Sequence, residues 1–163
     1  MFKFEEKTYD WSIAEINSKI VNRTIIIHPE WQRNFVWGLK EKQLLIDSIM
    51  RGIPIPAIYL AKTQSKKGNE YVFSVIDGQQ RLKTIDDFLG KGFSIKYQGS
   101  KTTWDNLAEE ERQNILDYRI HAHLIPNPER ADISLLFERL NKSSVRLRKM
   151  ELWNCTYWTS GGI

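Results

Sequence analysis

One short stretch of the chain carries polar residues that could bind a phosphate group. Asp77, Gly78, Gln79, Gln80 and Arg81 stand together between an apolar run and a helical pattern. A strand that runs into a helix through a glycine-containing corner is a frequent anion site, because the helix N-terminus presents backbone N–H groups. Arg81 would add a cation, and Gln79 has no apolar role at such a position. The stretch therefore predicts an anion site, with phosphate as the preferred ligand.

The segments on either side predict the elements that hold this corner. Residues 71–76 are short, β-branched and aromatic, which is typical of a buried strand. Apolar residues then recur at helical spacing, namely Leu82, Ile85, Phe88 and Leu89. Gly90 follows them and is suited to a left-handed C-cap. The corner is expected where the strand ends and the helix begins.

A purely structural explanation accounts for part of the corner. Asp77 is a favoured N-cap residue, and Gln80 could complete a capping box by reaching back to the Asp77 amide. Gly78 would then only permit a tight turn. This explanation does not account for Gln79 or Arg81. The helix macrodipole disfavours a cation such as Arg81 in the first turn by roughly 0.3–1 kcal/mol unless an anion is near. A ligand-facing corner is therefore the preferred interpretation.

The composition is that of an ordinary globular domain. Of the 163 residues, 41% are hydrophobic and 27% are charged, so the chain can bury a core. The formal net charge of +4 leans weakly towards polyanionic partners, since 24 basic residues face 20 acidic ones. The single cysteine, Cys155, allows no internal disulfide, and no apolar run approaches the ~18 residues of a membrane span. We expect a cytoplasmic protein with no membrane partner.

The rest of the chain predicts alternating helices and strands. Helices are predicted over 9–20, 40–51 and 104–118, and strands over 23–28, 93–97 and 119–126. Residues 57–76 predict a β-hairpin that leads into the corner. Asn127 and Pro128 predict the start of a late helix, whose apolar stripe consists of Ile133, Leu136, Phe137 and Leu140. Glu138 and Asn141 share another face of that helix. The purely structural interpretation is that Glu138 is solvated and that Asn141 is a C-cap.

Two further groups of residues could have either a binding role or a purely structural one. Arg33 stands among the aromatic residues of the stretch 31–38, whose rings could line the core or stack on a base. Arg33 itself is favoured as functional. His121 and His123 alternate on a predicted strand and could bind a metal, but no third ligand is near in the sequence. Exposed or packed imidazoles are therefore preferred to a metal site there.

These motifs together resemble a known family. The run Asp77-Gly78-Gln79-Gln80-Arg81, preceded by Gln32-Arg33 and Val36-Trp37 and followed by Phe137-Glu138-Arg139-Leu140-Asn141, is similar to the N-terminal domain of GmrSD-type modification-dependent restriction proteins. That domain is a ParB/sulfiredoxin-like module, often called the DGQQR family. The resemblance covers residues ~9–155, and its motifs occur in the expected order.

The resemblance implies an α+β domain with a small mixed sheet flanked by helices and a helical C-terminal part. It implies one domain over 1–163, in which the corner binds, and in several members hydrolyses, a nucleoside triphosphate in a system that restricts phage with modified DNA. Asp77, Gln79, Gln80 and Arg81 match the family's catalytic motif. The positions implied to bind the nucleotide or its phosphates are Arg33, Gly78, Arg81, Glu138 and Asn141, and Glu151 is a further acid of the pattern.

Elementary chemistry agrees with such a role. Gly78 would let the backbone approach phosphate, and Arg33 could bind a second phosphate oxygen in bidentate fashion. Asp77 could hold Mg²⁺ or orient water, because phosphoryl transfer depends on positioning and charge neutralisation. The two glutamines could orient a water or read the hydroxyls of the nucleotide.

Two other functions compete with this one. A non-enzymatic ParB-like module could bind DNA or a protein through the same corner, using it for a backbone phosphate. A nuclease acting alone ranks last, since the sequence shows no clustered metal site. Family members that cleave DNA carry a further C-terminal nuclease domain, and the chain shows no such segment. Nuclease activity is therefore not predicted, and a nuclease domain or subunit is an expected partner besides nucleotide and DNA.

Overall fold

The computed structural model describes residues 7–27, 37–65, 68, 70–126, 128–129, 131–136 and 138–140. The chain divides into two compact units, residues 1–128 and 129–163, and each is described by itself. Compact units need not be separate domains, so the single domain over 1–163 stays a prediction.

The first unit alternates helices and strands. In chain order they are β1 (Lys7–Ser12), α1 (Ile13–Val21), β2 (Ile25–Ile26), α2 (Leu39–Met50), β3 (Ile58–Gln64), β4 (Tyr71–Asp77), α3 (Gln79–Leu89), β5 (Ile95–Tyr97), β6 (Ser100–Thr102), a 3₁₀ turn (Trp104–Asn106), α4 (Glu109–Asp117) and β7 (Arg119–Pro126). Most of these lie where the periodicity of the sequence predicts them. The expected α+β class is confirmed.

Five of the strands form one mixed sheet, in the order β1-β7-β3-β4-β2. β3 and β4 are an antiparallel hairpin, as predicted for residues 57–76, while β7 runs parallel to β3 and β2 runs parallel to β4. The small hairpin β5–β6 is separate. The predicted small mixed sheet with flanking helices is thus present, and it is consistent with a ParB-like α+β domain.

The hydrophobic core lies between one face of this sheet and the helices. From the sheet it takes Ile58, Leu60, Val75 and the predicted inward residues of β7, and from the helices it takes Ile13, Ile46, Leu82 and Phe88. Ile120, Ala122 and Leu124 of β7 are each at most 2% exposed, as their alternation predicts. The strands β3, β4 and β7 and the start of α3 are thereby held rigidly at the centre of the unit.

The helix predicted over 9–20 is wrong in its first part. Residues 7–12 form the strand β1, which pairs antiparallel with β7, and the helix α1 begins only at Ile13. Ser12 sets this boundary because its side chain accepts a hydrogen bond from the Glu15 amide while the Glu15 carboxylate accepts one from the Ser12 amide. Pairing with β7 decides the conformation of residues 7–12, and the helical period does not detect it.

Two further expectations need correction. The helix predicted over 104–118 is a 3₁₀ turn followed, after a break, by α4. Gly90 ends α3, but with φ −79° it is not left-handed; Lys91 takes that conformation with φ 68°. Gly90 therefore ends the helix without adopting the left-handed conformation that glycine allows.

In the second unit, residues 131–136 and 138–140 are helical, in the region of the predicted late helix. Ile133, Leu136 and Leu140 are half-buried there, whereas Glu138 is exposed. Within the described part of the chain, no helix has the length and apolar character needed to cross a membrane.

Candidate functional site

The candidate site lies where β4 ends and α3 begins. β4 ends at Asp77, Gly78 turns the chain with φ 98°, and α3 begins at Gln79. A Cβ atom at residue 78 would lie 2.5 Å from Cγ2 of Ile58, which is fully buried in β3. Both the positive φ and this close approach require glycine. The backbone of the corner is thus packed directly on the neighbouring strand.

The capping box expected at this corner is absent. The N-cap residue is Gly78, which makes no side-chain cap, and Asp77 and Gln80 bind other groups. The reason is the left-handed turn at Gly78, which places the helix start one residue later than predicted. The purely structural explanation of Asp77 and Gln80 as helix caps is therefore wrong.

Arg81 lies in the first turn of α3 and is only 8% exposed. Its Nη2 donates to Asp77 Oδ2 at 2.8 Å, and its Nη1 donates to the carbonyl of Pro56. The Asp77 side chain keeps 34% of its surface exposed, so this ion pair reaches from the interior to the surface. The pair supplies the nearby anion that a cation in the first turn of a helix needs.

Gln79 is the second polar residue buried at the corner, with 6% of its surface exposed. Its Nε2 donates to the carbonyl of Val75 at 3.2 Å. Its Oε1 is buried and has no hydrogen-bond donor among the described residues. A buried acceptor without a donor costs roughly 1–3 kcal/mol, so this oxygen is expected to meet a donor that a ligand or a water brings.

Gln80 links the corner to the aromatic stretch that contains Arg33. Its Oε1 accepts a hydrogen bond from the backbone N–H of Trp37 at 3.2 Å, across 43 residues of chain. Trp37 also packs against the hydrophobic core. The C-terminal end of that stretch is therefore attached to the first turn of α3.

The start of β3 forms a second side of the corner, which no motif in the sequence indicates. Pro56 accepts from Arg81, Ile58 contacts Gly78, and Tyr59 pairs with Asp77 in the β3–β4 register. Nothing in the composition of the Ile53-Pro54-Ile55-Pro56 connection indicates a role at the corner. Only the tertiary pairing of β3 with β4 brings it there.

Four residues of the predicted site lie outside the described residues of the first unit. Arg33 and Asn141 lie outside the described residues, as does Glu151. Glu138 is exposed and belongs to the second unit. Their roles in binding a nucleotide stay predictions.

The donor set for Mg²⁺ at the corner is one carboxylate. Asp77 is paired with Arg81, and the described residues contain no group of three or more His, Cys, Asp and Glu side chains arranged for a metal ion. One carboxylate suits an Mg²⁺ ion that arrives with phosphates and keeps several waters, and it suits a resident metal less well. Among the described residues, the two histidines of β7 have other contacts: His121 lies 3.2 Å from Asp10, and His123 stacks on Tyr59.

An open cleft of about 420 Å³ lies at the opposite end of α3. Two carboxylates line it, which does not suit a phosphate ligand. Its lining residues are Asn17, Asp86, Asp87, Leu89, Gly90 and Gly92. The cleft is therefore not part of the candidate site.

A comparison with protein families gives a match over most of the chain. A family model described as GmrSD restriction endonuclease, N-terminal domain, matches residues 13–158, which include the corner and the stretch with Arg33. The comparison with curated proteins gives no match.

Proposed function

Because the chain belongs to the family of GmrSD restriction endonuclease N-terminal domains, we propose that it is the nucleotide-dependent regulatory domain of a restriction system. The corner between β4 and α3 binds a nucleoside triphosphate and hydrolyses it. Turnover of the nucleotide then controls a nuclease domain or subunit that acts on modified phage DNA. The family name supports the restriction context, and the corner supports the nucleotide chemistry.

The observation that carries the proposal is the burial of Gln79 in the first turn of a helix, next to Arg81, whose charge is held in place by Asp77 and Pro56. Burying a polar side chain is costly unless each of its polar atoms is paired. Gln79 keeps an acceptor that no described donor reaches. Buried polar groups at a helix N-terminus are expected where a charged ligand is bound.

Phosphate binding follows from the backbone at Gly78. The first turn of a helix presents N–H groups that find no acceptor within the helix, and the macrodipole adds a partial positive charge. A residue without a side chain at the turn lets a phosphate oxygen approach those groups closely. Arg81, fixed by Asp77 and Pro56, adds a full positive charge in a constant position.

Hydrolysis needs a positioned water, and Gln79 and Asp77 can supply that positioning. Phosphate oxygens are acceptors, so the Oε1 atom of Gln79 would bind a donor such as water and not the phosphate itself. The oxygen of this water attacks the terminal phosphorus, the bond to the bridging oxygen breaks, and the water proton passes to the Asp77 carboxylate. Gln80 has a positioning role, because it holds the stretch next to Arg33 through Trp37.

Mg²⁺ is expected to enter with the nucleotide. A carboxylate beside a triphosphate is repelled unless a cation lies between them, and Asp77 has one oxygen in contact with Arg81. When bound, the ion would neutralise phosphate charge. Asp77 is the residue that would hold it.

Phosphate release tests this function directly. The purified chain is incubated with Mg²⁺ and GTP, CTP, UTP or ATP in turn, and phosphate is measured. We expect release from at least one nucleotide, and a fall of at least 100-fold in Asp77→Asn, since a catalytic acid or base contributes about 10²–10⁴-fold. Asp47→Asn is the matched control, because Asp47 makes the same kind of contact with Arg51 on α2. Equal rates in both variants would contradict the proposal.

A non-enzymatic binding module remains the second candidate, and one observation favours it. Both the Asp77 and the Pro56 contacts of Arg81 are internal, so the arginine also serves to join α3 to β3. On this alternative the corner hydrolyses nothing and binds a phosphate of the DNA backbone, with further attraction from basic residues elsewhere in the chain. Retention on DNA that falls steeply with salt and is lost when Arg146, Arg148 and Lys149 are replaced, together with no phosphate release, would favour it.

A further inference from the structure

Positively charged side chains gather at the end of β4 that is opposite to the corner. Tyr71 and Asp77 are the first and last residues of β4, so the two ends are about 20 Å apart. At the first end, the Phe73 amide donates to the Thr24 carbonyl at 2.8 Å, which attaches the turn after α1 to one edge of β4. Lys62 of β3 pairs with Phe73 at the other edge. The turn after α1 and the strand β3 therefore flank the start of β4.

Two lysines at this end are held over aromatic rings. The Nζ atom of Lys62 lies 4.0 Å from the centroid of the Tyr71 ring. The Nζ atom of Lys19 lies 5.0 Å from the centroid of the Trp11 ring, which in turn contacts the Phe73 ring with 5.8 Å between centroids. A ring attracts an ammonium group through its face but carries no net charge. Both lysines are thus positioned while their positive charges stay unneutralised.

Cations elsewhere in the described residues are paired differently. Five of them contact carboxylates, namely Lys42, Arg51, Arg81, Lys91 and Arg119. Among the described residues, no carboxylate forms an ion pair with Lys19, Arg23 or Lys62. Glu15, the one acid of α1, is paired with Arg119. The charges of Lys19, Arg23 and Lys62, which we call the basic surface, therefore act outwards on a partner.

The backbone of Arg23 is strained. Arg23 follows Asn22, the C-cap of α1, and has φ 61°. Glycine is the usual residue at this left-handed position, because a side chain costs free energy there. The macrodipole of α1 favours a cation near its C-terminal end, but Lys19 in the last turn already supplies one without strain. An arginine at a strained position points to a function of its side chain.

We propose that Lys19, Arg23 and Lys62 bind the phosphate backbone of double-stranded DNA without reading its sequence. Lysine and arginine are common partners of DNA phosphates, and duplex DNA carries one negative charge per about 1.7 Å of its axis. The segments that supply the surface, residues 16–27 and 57–69, contain five basic and no acidic residues. The restriction context of the family favours DNA over an acidic protein. The surface is remote from the corner and does not depend on nucleotide hydrolysis.

Fluorescence anisotropy of a labelled duplex of random sequence tests the surface. Binding is measured between roughly 0.05 M and 0.2 M salt for the native chain, Lys19→Gln and Lys62→Gln. Each lost phosphate contact should weaken binding about 8-fold at roughly 0.1 M salt and reduce the slope of log affinity against log salt by about 0.9. Lys62→Arg should keep the native affinity, because it keeps the charge and can still lie over the ring.

Arg51→Gln and Lys91→Gln are the matched controls. Each removes the same charge from an exposed ion pair outside the basic surface. Both variants should keep the affinity and the salt dependence of the native chain. They separate a local DNA contact from an effect of net charge.

Arg23→Gly distinguishes a binding role from a structural one. Glycine removes the backbone strain, so the midpoint of urea denaturation should rise. DNA binding should weaken about 8-fold at roughly 0.1 M salt, as in the lysine variants. Native affinity in this variant would contradict the role of Arg23.

The other outcomes are equally clear. No binding of the duplex by the native chain at the lowest salt overturns the proposal, and so do equal losses in the surface variants and the matched controls. Tighter binding of single-stranded DNA than of duplex, or equal binding of polyglutamate, overturns the assignment to duplex DNA. None of these results affects the proposed function, because phosphate release at the corner is measured without DNA.

Discussion

The corner between β4 and α3 and the end of α2 share the same elements in different surroundings. Each contains an aspartate and an arginine four residues apart, joined at 2.8 Å, and each contains a glycine with positive φ. At the end of α2 these are Asp47, Arg51 and Gly52, and at the corner they are Asp77, Arg81 and Gly78. The equivalent local chemistry makes the two regions a natural pair of controls.

Their difference lies in burial and in helix polarity. The side chain of Arg51 is 66% exposed, whereas that of Arg81 is 10% exposed. Arg51 lies at a helix C-terminus, where the macrodipole favours a cation, and Arg81 lies at an N-terminus, where it does not. No atom lies within 4 Å of a Cβ built on Gly52, while one on Gly78 would meet Ile58. At α2 the pattern ends a helix at the surface. At α3 the same pattern is buried, although the helix macrodipole disfavours a cation at that end of the helix.

Replacing the two glycines should give the largest contrast. Gly78→Ala forces a side chain into a left-handed residue and onto a buried strand, so we expect a loss of about 2–4 kcal/mol in the free energy of unfolding. Gly52→Ala bears only the conformational cost, about 1 kcal/mol. Urea denaturation measures both. Equal losses of stability in the two variants would contradict the close approach of residue 78 to Ile58.

Replacing the two arginines should give a smaller contrast. Arg81→Ala leaves the Pro56 carbonyl and the Asp77 carboxylate without their donor, and we expect a loss of about 2–3 kcal/mol because Asp77 is partly exposed. Arg51→Ala breaks an exposed pair on the surface, and its midpoint in urea should hardly move. Arg81→Lys should not restore stability, since a single ammonium lacks the fork that reaches both acceptors. A loss in Arg51→Ala as large as in Arg81→Ala would contradict the distinction between the two regions.

A substitution at the segment that connects the two regions should give the smallest loss of stability. Tyr118 donates to the carbonyl of Ile53 and accepts from the amide of Ile55, in the segment that leads from Gly52 to β3. Tyr118→Phe should cost about 1 kcal/mol. Burial raises the pKa of the Tyr118 hydroxyl, so the native contribution is complete below the ordinary tyrosine pKa and is lost as pH rises through the raised value. The difference between native and variant should therefore shrink in strongly alkaline buffer, and a constant difference would contradict this assignment.

Periodicity allowed α2, the hairpin β3–β4, α3 and the inward residues of β7 to be predicted, because each has a clear apolar pattern. Local pattern failed in two places. Residues 9–12 join β7 as a strand, and that distant partner cannot be identified from the neighbouring sequence. Asp77 binds Arg81, four residues on, instead of capping α3, because the left-handed turn at Gly78 delays the start of the helix.

The candidate site was likewise predicted only in part. The motif from Asp77 to Arg81 could be recognised because its residues are contiguous. Pro56 was missed as a part of it, because the pairing of β3 with β4 brings it there. His123 drew attention only as a possible metal ligand beside His121, and its stacking on Tyr59 across a parallel pair of strands leaves no periodic signal.

Calorimetric titration of nucleotides with Mg²⁺ tests most directly whether the corner, unlike the end of α2, is a nucleotide site. The native chain and Asp47→Asn should bind at least one nucleoside triphosphate with the same affinity. Asp77→Asn should bind it at least 10-fold more weakly, because it loses the carboxylate that would hold Mg²⁺ and that pairs with Arg81. No heat of binding to the native chain at millimolar nucleotide, or equal affinities in the two variants, would contradict the account.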